Sequence, residues 1–263
     1  MKFSSENEIN EWVAEAERLW LFLDYDGTLV EFTRTPDVIT PDSHLIELIK
    51  RLAAKSRLRL AIVSGRRLRD IQALLPVAGI YSAGNYGIEL QTPDNERIQR
   101  EDYAVIRPYL ESLKPHWEEI IAGRKGFFLE DKGWSLALHM RFARDKEATQ
   151  VISSIQQTLD QELITGQFRL IKHRKFLEVG SSLAHKGKTV SFLLNSFPLP
   201  GARLVYIGDD DNDAEAFETI HSFGGIAIAV AQYFGYVRST GGDYVFKSPK
   251  AVRRWLENLM RWF

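Results

Sequence analysis

The stretch from residue 20 to residue 28, Trp-Leu-Phe-Leu-Asp-Tyr-Asp-Gly-Thr, limits the possible folds more than any other part of the sequence. Its first four residues are apolar, which indicates a strand with both faces buried, as in the interior of a parallel sheet. Asp24 and Asp26 follow at once, and Gly27 allows the chain to turn tightly after them. Carboxylates held this close together repel each other unless a cation or hydrogen bonds compensate. The stretch therefore predicts either a charged site at the end of a buried strand or an ordinary surface turn.

Short apolar runs alternate with segments of helical spacing in the first and the last third of the chain. The strands predicted in these two regions are 20–23, 58–63, 79–83, 203–207, 225–230 and 244–246. Alternating strands and helices favour right-handed crossovers, which place helices on both faces of a parallel sheet. The predicted fold class is therefore α/β, with a doubly wound, Rossmann-like parallel sheet as the core.

The alternation stops between residues 88 and 183, where hairpin patterns and two long helical segments replace it. The predicted strand pairs are 88–90 with 97–99, 127–130 with 135–141, and 168–171 with 175–179, and the predicted helices are 103–122 and 145–162. Paired strands around polar turns are typical of an antiparallel sheet. We therefore predict a core of residues 1–87 and 184–263, interrupted by an inserted α+β cap domain of residues 88–183.

The composition argues against several classes of protein and of site. A net charge of −1 over 263 residues gives no electrostatic case for binding nucleic acid or an anionic membrane. The absence of cysteine excludes disulfides, thiol nucleophiles and thiolate metal sites. No apolar run reaches the roughly 18 residues of a spanning helix, and the polar N-terminal segment is unlike a signal peptide. These features predict a cytoplasmic enzyme or binding protein.

Polar clusters follow three of the predicted buried strands. Asp24 and Asp26 follow the strand predicted at 20–23, and the segment Ser64-Gly65-Arg66 follows the strand predicted at 58–63. The acidic run 209–213 follows the strand predicted at 203–207. The carboxyl ends of parallel strands lie at one edge of the sheet, where ligands bind, so we expect these clusters to converge there. Lys186, at the start of the helix that returns the chain to the core, is a fourth element.

Each of these elements also has an ordinary structural interpretation. Ser64 could cap the next helix, Lys186 could be a solvated surface lysine, and the acidic run 209–213 could cap a helix rather than bind a metal. The combination favours a chemical role, because two acidic clusters at one sheet edge repel unless a cation lies between them. Oxygen ligands suit Mg²⁺, whereas a hydroxyl, a lysine and backbone N–H groups suit a phosphate.

These residue types predict a phosphoryl-transfer site around the first strand. Asp24 would attack phosphorus as a carboxylate and form an aspartyl-phosphate. Asp26 would protonate the leaving alkoxide and then take a proton from the attacking water. Mg²⁺ would be held by the Asp24 carboxylate, the Asp26 backbone carbonyl and Asp209.

The remaining polar residues would support this chemistry from around the metal. Asp210 and Asp213 would orient Lys186 or a water molecule near the metal. Ser64 and Lys186 would bind the phosphoryl oxygens as their charge shifts.

Four segments of the sequence form an ordered set of motifs. They are Asp24-Tyr25-Asp26-Gly27-Thr28-Leu29, Ser64-Gly65-Arg66, Lys186, and Gly208-Asp209-Asp210-x-x-Asp213. This set resembles the four motifs of the haloacid dehalogenase superfamily of phosphatases, in their order. The resemblance implies the roles given above, since an aspartate two residues after the nucleophile is typical of the phosphatases and phosphomutases of that superfamily.

Further strings narrow the resemblance. They are Gly84-Asn85-Tyr86-Gly87-x-Glu89, Lys132-Gly133-Trp134-Ser135-Leu136-x-Leu138-His139-x-Arg141, and Leu177-Glu178-Val179. Together with the chain length and the place of the insertion, these strings are similar to the trehalose 6-phosphate phosphatase family. The sequence departs from that family at Met140, where a tyrosine is usual, at Gly180-Ser181, where Arg-Pro is usual, and at Asn212, where threonine is usual.

An insertion between the second and third motifs would lie over the sheet edge, exclude water and select the leaving group. The candidate substrate-binding residues are polar or adjoin the predicted site. They are Lys132, His139, Arg141, Arg174 and Glu178 in the cap, with Gly65, Arg66, Asn85 and Gly87 in the core. Each cap residue could instead be a strand residue that faces solvent.

The resemblance implies a Mg²⁺-dependent phosphatase of a small-molecule sugar phosphate, with trehalose 6-phosphate converted to trehalose and phosphate as the first candidate reaction. The alternatives are another sugar phosphate or a glycosyl-glycerate phosphate as substrate. A phosphomutase and a catalytically silent regulatory or binding domain are alternatives of other classes. A trehalose-6-phosphate synthase is a candidate partner in the same pathway, and neither nucleic acid nor membrane is an expected partner.

Overall fold

The computed structural model describes residues 2–31, 40–163, 166–173, 175–231 and 241–263. The strands are β1 Arg18–Leu23, β2 Leu58–Val63, β3 Tyr81–Gly84, β4 Glu89–Gln91, β5 Arg97–Gln99, β6 Phe128–Asp131, β7 Ser135–His139, β8 Phe168–His173, β9 Phe176–Ser181, β10 Ala202–Gly208, β11 Ile226–Val230 and β12 Tyr244–Phe246. The helices are α1 Glu6–Ala14, α2 Ser43–Ala53, α3 Leu68–Leu74, α4 Tyr103–Ile121, α5 Asp145–Leu163, α6 Lys186–Ser196, α7 Asp211–Ser222 and α8 Pro249–Leu259. The chain divides into two compact units, of which Met1–Ile98 with His185–Phe263 is the first and Gln99–Ala184 the second.

The first unit is built on an eight-stranded sheet of order β12-β11-β10-β1-β2-β3-β4-β5. The neighbouring strands from β12 to β3 are parallel, and β4 is antiparallel to β3. From β1 the chain builds toward β3 on one side and later returns through β10 on the other, so the strand order reverses beside β1. The predicted α/β class with a largely parallel sheet is confirmed.

Alternate residues of β1 are buried against helices on opposite faces of the sheet. Leu19, Leu21 and Leu23 belong to an apolar cluster with residues of α1, α2, α3 and α8. Trp20 and Phe22 belong to a second cluster with residues of α6 and α7. All five side chains are fully buried, as the uninterrupted apolar run predicted.

The last helix begins earlier than its apolar spacing suggested, at Pro249 rather than at Arg253. Ser248 caps it, because its hydroxyl accepts a hydrogen bond of 3.2 Å from the backbone N–H of Ala251. Proline is tolerated in the first turn of a helix, where its missing N–H has no intrahelical partner to lose. A cap signal therefore fixes this boundary, rather than the apolar stripe.

The second unit begins later than the predicted cap, near residue 99 rather than at residue 88. Residues 89–91 form β4, which pairs with β3 in the register Ser82 to Gln91 and so extends the first sheet. Hairpin spacing alone does not reveal which sheet a hairpin joins, because pairing with a third strand is a tertiary contact.

The second unit contains an antiparallel sheet of order β6-β7-β9-β8, together with α4 and α5. Arg107 of α4 contacts Asp131, and Tyr109 of α4 packs on Phe168 with ring centroids 4.2 Å apart, which identifies the sheet face that the helix covers. The core leucines and valine of this face, Leu136, Leu138, Leu177 and Val179, are fully buried. None of the helices in the described ranges combines the length and apolar character that a bilayer crossing requires.

Candidate active site

The candidate site lies where the neighbouring strands β10, β1 and β2 end. Asp24 follows β1, Ser64 follows β2, and Asp209 follows β10. The parallel register of these strands brings their carboxyl ends together, although the residues are far apart in sequence. Each of the three residues is buried, with an exposure of 4% or less for the whole residue.

Carboxylates from two of these loops form a compact group. One oxygen each of Asp24, Asp209 and Asp213 lie within 4.8 Å of one another. Gly27 makes this approach possible, since a Cβ built on it would lie 2.3 Å from Oδ2 of Asp209. Its φ of +82° is also one that residues with a side chain rarely adopt. The glycine of the first motif therefore has two physical reasons to be there.

Lys186 lies among these carboxylates and is buried, so the interpretation of it as a solvated surface lysine is wrong. Its Nζ donates to Oδ1 of Asp24 at 2.8 Å and to Oδ1 of Asp213 at 2.6 Å. Burial lowers the pKa of Lys186, but the charges of Asp213 and Asp24 outweigh it and hold that pKa well above its ordinary value. The ammonium group is therefore a permanent positive charge of the site.

One lysine does not compensate the buried carboxylates fully. Burial raises the pKa of Asp24 to about 6, although Lys186 opposes the shift. Burial is the largest cause that raises the pKa values of Asp209 and Asp213 well above the ordinary value; Lys186 opposes this shift, and the charges of Asp24 and Asp210 add to it. Such a group of oxygen ligands fits a divalent cation, which would supply the missing positive charge.

Asp213 holds the fourth motif together. Its Oδ1 accepts hydrogen bonds from Lys186 and from the hydroxyl of Tyr206, the latter at 2.7 Å. Its Oδ2 accepts from the backbone N–H groups of Asp209 at 3.0 Å and Asp210 at 3.1 Å. Since both oxygens already accept two hydrogen bonds each, the contacts of Asp213 suit a residue that positions its neighbours. Tyr206 was missed by the sequence reasoning, because within a buried strand it reads only as a core aromatic.

Asp210 has the helix-capping role that the ordinary interpretation gave to the acidic run. Its Oδ1 accepts from the backbone N–H groups of Asn212 at 2.9 Å and Asp213 at 3.2 Å, and these bonds begin α7. Asp209 lies just before this cap, with its carboxylate beside Gly27. The acidic run thus contains both a helix cap and a member of the carboxylate group.

The second motif does not use its serine as a helix cap. Arg67 is the cap residue of α3 and makes no side-chain capping bond, whereas Oγ of Ser64 accepts from the backbone N–H of Arg66 at 3.2 Å. The guanidinium of Arg66 binds Asp26 through two hydrogen bonds, Nε to Oδ2 at 2.5 Å and Nη2 to Oδ1 at 2.8 Å. This pairing fixes the orientation of the Asp26 carboxylate, and sequence spacing gave no sign of it.

The loop after β3 connects the second motif to the helix that carries Lys186. Asn85 and Tyr86 have φ values of 49° and 55°, a strained region for residues with side chains. The backbone N–H of Tyr86 donates to the carbonyl of Ser64 at 2.8 Å, and its own carbonyl accepts from Oγ1 of Thr189 at 2.6 Å. A Cβ on Gly65 would lie 2.6 Å from the Tyr86 ring, so this glycine lets the two loops pack.

Gly87, another of the predicted substrate-binding residues of the core, is the last residue of this loop and has a φ of +95°. A Cβ built on it would lie 2.0 Å from Oγ1 of Thr189, so its absence allows Thr189 to reach the Tyr86 carbonyl. Asn85 is buried and donates from Nδ2 to Oε2 of Glu89 at 2.9 Å. The contacts of both residues are those of a loop that holds its neighbours in place.

Within the second unit, two of the predicted cap residues form a buried ion pair. Lys132 Nζ lies 3.0 Å from Oε2 of Glu178, whose side chain is 2% exposed, and the hydroxyl of Ser135 also donates to Glu178. His139 pairs instead with Glu130 through Nε2 at 2.9 Å.

The other two predicted cap residues have different outcomes. Arg141 lies on the exposed turn after β7, since that strand ends at His139 rather than at residue 141 as predicted. The strand ends there because the following backbone turns, with the N–H of Ala143 donating to the carbonyl of Met140 at 3.0 Å. Arg174 lies outside the described residues.

Known proteins resemble this chain over most of its length. A family model described as trehalose-phosphatase matches residues 22–247. A probable trehalose-phosphate phosphatase C of Arabidopsis thaliana is 29% identical in an alignment of 261 positions that covers 95% of this chain and 79% of that protein. A trehalose-phosphate phosphatase of Mycobacterium marinum is 31% identical in an alignment of 239 positions that covers 88% of this chain and 59% of that protein.

A solved structure has the same fold. The C-terminal domain of Candida albicans trehalose-6-phosphate phosphatase superposes with a TM-score of 0.84 at 17% identity, over 99% of this chain and 98% of that one. These findings confirm the resemblance drawn from the sequence motifs. The chain belongs to the trehalose-phosphatase family and is therefore a phosphoric monoester hydrolase.

Proposed function

We propose that this chain hydrolyses trehalose 6-phosphate to trehalose and phosphate, through an aspartyl-phosphate formed on Asp24. Membership of the family supports the substrate, and the geometry around Asp24 supports the chemistry. The observation that carries the proposal is that Nζ of Lys186 donates to the buried Asp24, while an oxygen of Asp24 lies within 4.8 Å of oxygens of Asp209 and Asp213.

Asp24 is the proposed nucleophile because it stands at the end of the central strand with its carboxylate held in one orientation. Lys186 binds its Oδ1, which favours the charged form that attacks phosphorus. The same ammonium group can then stabilise the negative charge that develops on the phosphoryl oxygens. Ser64 adds a hydroxyl at the end of the neighbouring strand, where it can bind a phosphoryl oxygen.

Mg²⁺ is the proposed cofactor, and the donor set of the site fits it. The Asp24 carboxylate, the Asp26 backbone carbonyl and Asp209 would hold the ion, while Asp213 and Asp210 would keep the loop and Lys186 in place. When bound, the cation would neutralise the carboxylates and make phosphorus a better electrophile. Oxygen-only ligands and the uncompensated negative charge are what a hard divalent cation requires.

Asp26 is the proposed acid and base of the reaction. It lies two residues after the nucleophile on the same turn, and Arg66 orients both of its oxygens. In the first step it would give a proton to the sugar oxygen that leaves phosphorus, and in the second it would take one from water. Arg66 therefore serves the proposed reaction by positioning Asp26. The guanidinium of Arg66 can also interact with the phosphate of the substrate.

The second unit is the proposed source of sugar specificity. Lys132, Glu178 and His139 offer donors and acceptors that match the hydroxyl groups of a sugar. Arg141 and Arg174 are further candidates for contact with the substrate, as are Asn85, Gly87 and Gly65 in the core loops. A cytoplasmic location and a trehalose-6-phosphate synthase as pathway partner complete the proposal.

A panel of phosphate esters tests this function. Purified protein with Mg²⁺ should release phosphate from trehalose 6-phosphate with a higher kcat/KM than from glucose 6-phosphate or a glycosyl-glycerate phosphate. The Asp24→Asn variant is the control, and its phosphate release should be undetectable. A preference for a monosaccharide phosphate would contradict the proposed substrate. Equal phosphate release by wild type and Asp24→Asn would contradict the assignment of Asp24 as the nucleophile. An isomerised sugar phosphate as the product would indicate a phosphomutase.

A further inference from the structure

A row of aromatic rings crosses the sheet of the second unit in a single register line. Phe128 lies opposite His139, His139 opposite Phe176, and Phe176 opposite His173. The centroids of neighbouring rings are 5.8, 5.2 and 6.0 Å apart, which is contact distance for aromatic pairs. We name this set the aromatic row.

The aromatic row lies on the sheet face that α4 does not cover. Successive residues of a strand point to opposite faces, so the register that puts Asp131 and Phe168 on the α4 side puts Phe128 and Phe176 on the other. The side chain of Phe128 is 53% exposed there. The Phe128 ring is therefore open to a ligand, and its place in a row of contacting rings distinguishes it from a single exposed apolar residue.

Polar side chains that could bind hydroxyl groups lie beside these rings on the same face. Glu130 and Glu178 occupy the next register line, each opposite Ala137. Oε2 of Glu130 lies 2.9 Å from Nε2 of His139, and both side chains of this pair are partly exposed. The buried Lys132–Glu178 pair lies next to it, with Nζ of Lys132 5.9 Å from the Phe176 ring centroid. Phenylalanine rings with paired donors and acceptors beside them match a pyranose, which has apolar C–H faces and a rim of hydroxyl groups.

We infer that the aromatic row is a stacking platform for a pyranose ring of the substrate, with Phe128 as its exposed end and Phe176 beside the Lys132–Glu178 pair. The inference rests on the proposed function, because it names the surface that holds the sugar of that same substrate. The negative face of each aromatic ring attracts the polarised C–H bonds of the sugar, and stacking also removes apolar area from water. Phe128 and Phe176 are thereby specificity-determining residues that carry no polar group.

Phe128→Leu tests the platform, because it removes the ring and keeps an apolar side chain. We expect KM for trehalose 6-phosphate to rise about three- to tenfold, with kcat changed less than twofold and product inhibition by trehalose weakened in parallel. Acetyl phosphate, which has no pyranose ring, should be hydrolysed with an unchanged KM. Phe128→Tyr and Phe128→Trp keep a ring and should keep the wild-type KM.

Phe142→Leu is the matched control, because Phe142 is an exposed phenylalanine of the same unit, at 66%, outside the aromatic row. It should leave the KM values for trehalose 6-phosphate and for acetyl phosphate unchanged. An unchanged KM in Phe128→Leu, an equal effect in Phe142→Leu, or an equal effect on acetyl phosphate would each overturn the platform. A wild-type protein that acts on no sugar phosphate would instead overturn the proposed function, so the two failures are distinguishable.

Discussion

Lys186 and Asp24 are separated by 162 positions in the chain and are joined by a hydrogen bond of 2.8 Å between Nζ and Oδ1. Both side chains are almost completely removed from water, with exposures of 3% and 5%. The contact exists because β1 and β10 are neighbours, and α6 leads into β10. The sheet topology is thus what makes a phosphoryl-transfer site out of residues that lie far apart in sequence.

The charge of Lys186 is expected to be necessary for activity. Lys186→Met removes the cation that binds Asp24 and Asp213, so kcat should fall by about 10²–10³-fold, measured as phosphate release. Lys186→Arg keeps the charge but presents a larger, planar group to a buried position, and it should recover only part of the rate. Tyr206→Phe removes the other side-chain donor to Oδ1 of Asp213 without changing charge, and its loss should stay below about tenfold. Activity in Lys186→Met within tenfold of wild type would contradict this role.

The buried carboxylates of Asp24, Asp209 and Asp213 should make the metal-free protein less stable as the pH rises. The pKa of Asp24 is raised to about 6 from an ordinary value of 3.8, so between these values the folded chain binds more protons than the unfolded chain. The free energy of unfolding then falls as pH rises through this range, because ∂ΔG/∂pH has the sign of the proton excess of the unfolded state. The pKa of Asp209 is also raised, so Asp209 contributes with the same sign, and Asp209→Asn removes that contribution. In EDTA, the Tm of wild type relative to Asp209→Asn should therefore be lower at pH 7 than at pH 4.5.

Adding Mg²⁺ should reverse this effect by occupying the site. Wild-type Tm should rise more at pH 7 than at pH 4.5, because protons compete with the cation for the carboxylates. Asp209→Asn has one ligand fewer and should respond weakly at both values. A Mg²⁺-induced shift as large in Asp209→Asn as in wild type would show that the ion binds elsewhere.

A comparison of alanine substitutions at Gly27 and Gly79 distinguishes the effect of backbone strain from the effect of close packing. Both have positive φ, +82° and +78°, but a Cβ on Gly27 would lie 2.3 Å from Oδ2 of Asp209, whereas a Cβ on Gly79 would meet nothing within 4 Å. Alanine at either position should cost about 1–3 kcal/mol in the free energy of unfolding from strain. Only Gly27→Ala should also abolish the Mg²⁺-induced rise in Tm and reduce kcat, because it displaces the Asp209 carboxylate. Equal catalytic losses in the two variants would refute a packing role for Gly27.

The elements that the sequence predicted well are those with a local signal. The apolar run before Asp24 indicated a buried strand, and strand–helix alternation indicated a sheet edge at which Asp24 and Asp209 could meet. The sequence did not indicate which oxygen accepts from which donor: Asp213 as acceptor for Tyr206, and Arg66 as partner of Asp26, are tertiary pairings without a periodic pattern. The second unit starts later than predicted for the same reason, because the sequence of a hairpin does not show which further strand it pairs with.

Thr189 gives a test of how the second motif is positioned at a distance. Its hydroxyl is fully buried and donates to the carbonyl of Tyr86, in the strained loop whose N–H groups bind the backbone carbonyls of Ser64 and Arg66. Thr189→Val has the same shape and leaves that carbonyl without its donor, which should cost about 1–3 kcal/mol in stability. Because the loop then no longer fixes Ser64, KM for the phosphate ester should rise more than kcat falls. Thr189→Ser keeps the hydroxyl and should recover the wild-type KM even where the missing methyl lowers Tm, and a Thr189→Ser variant as impaired in KM as Thr189→Val would refute the hydrogen bond as the cause.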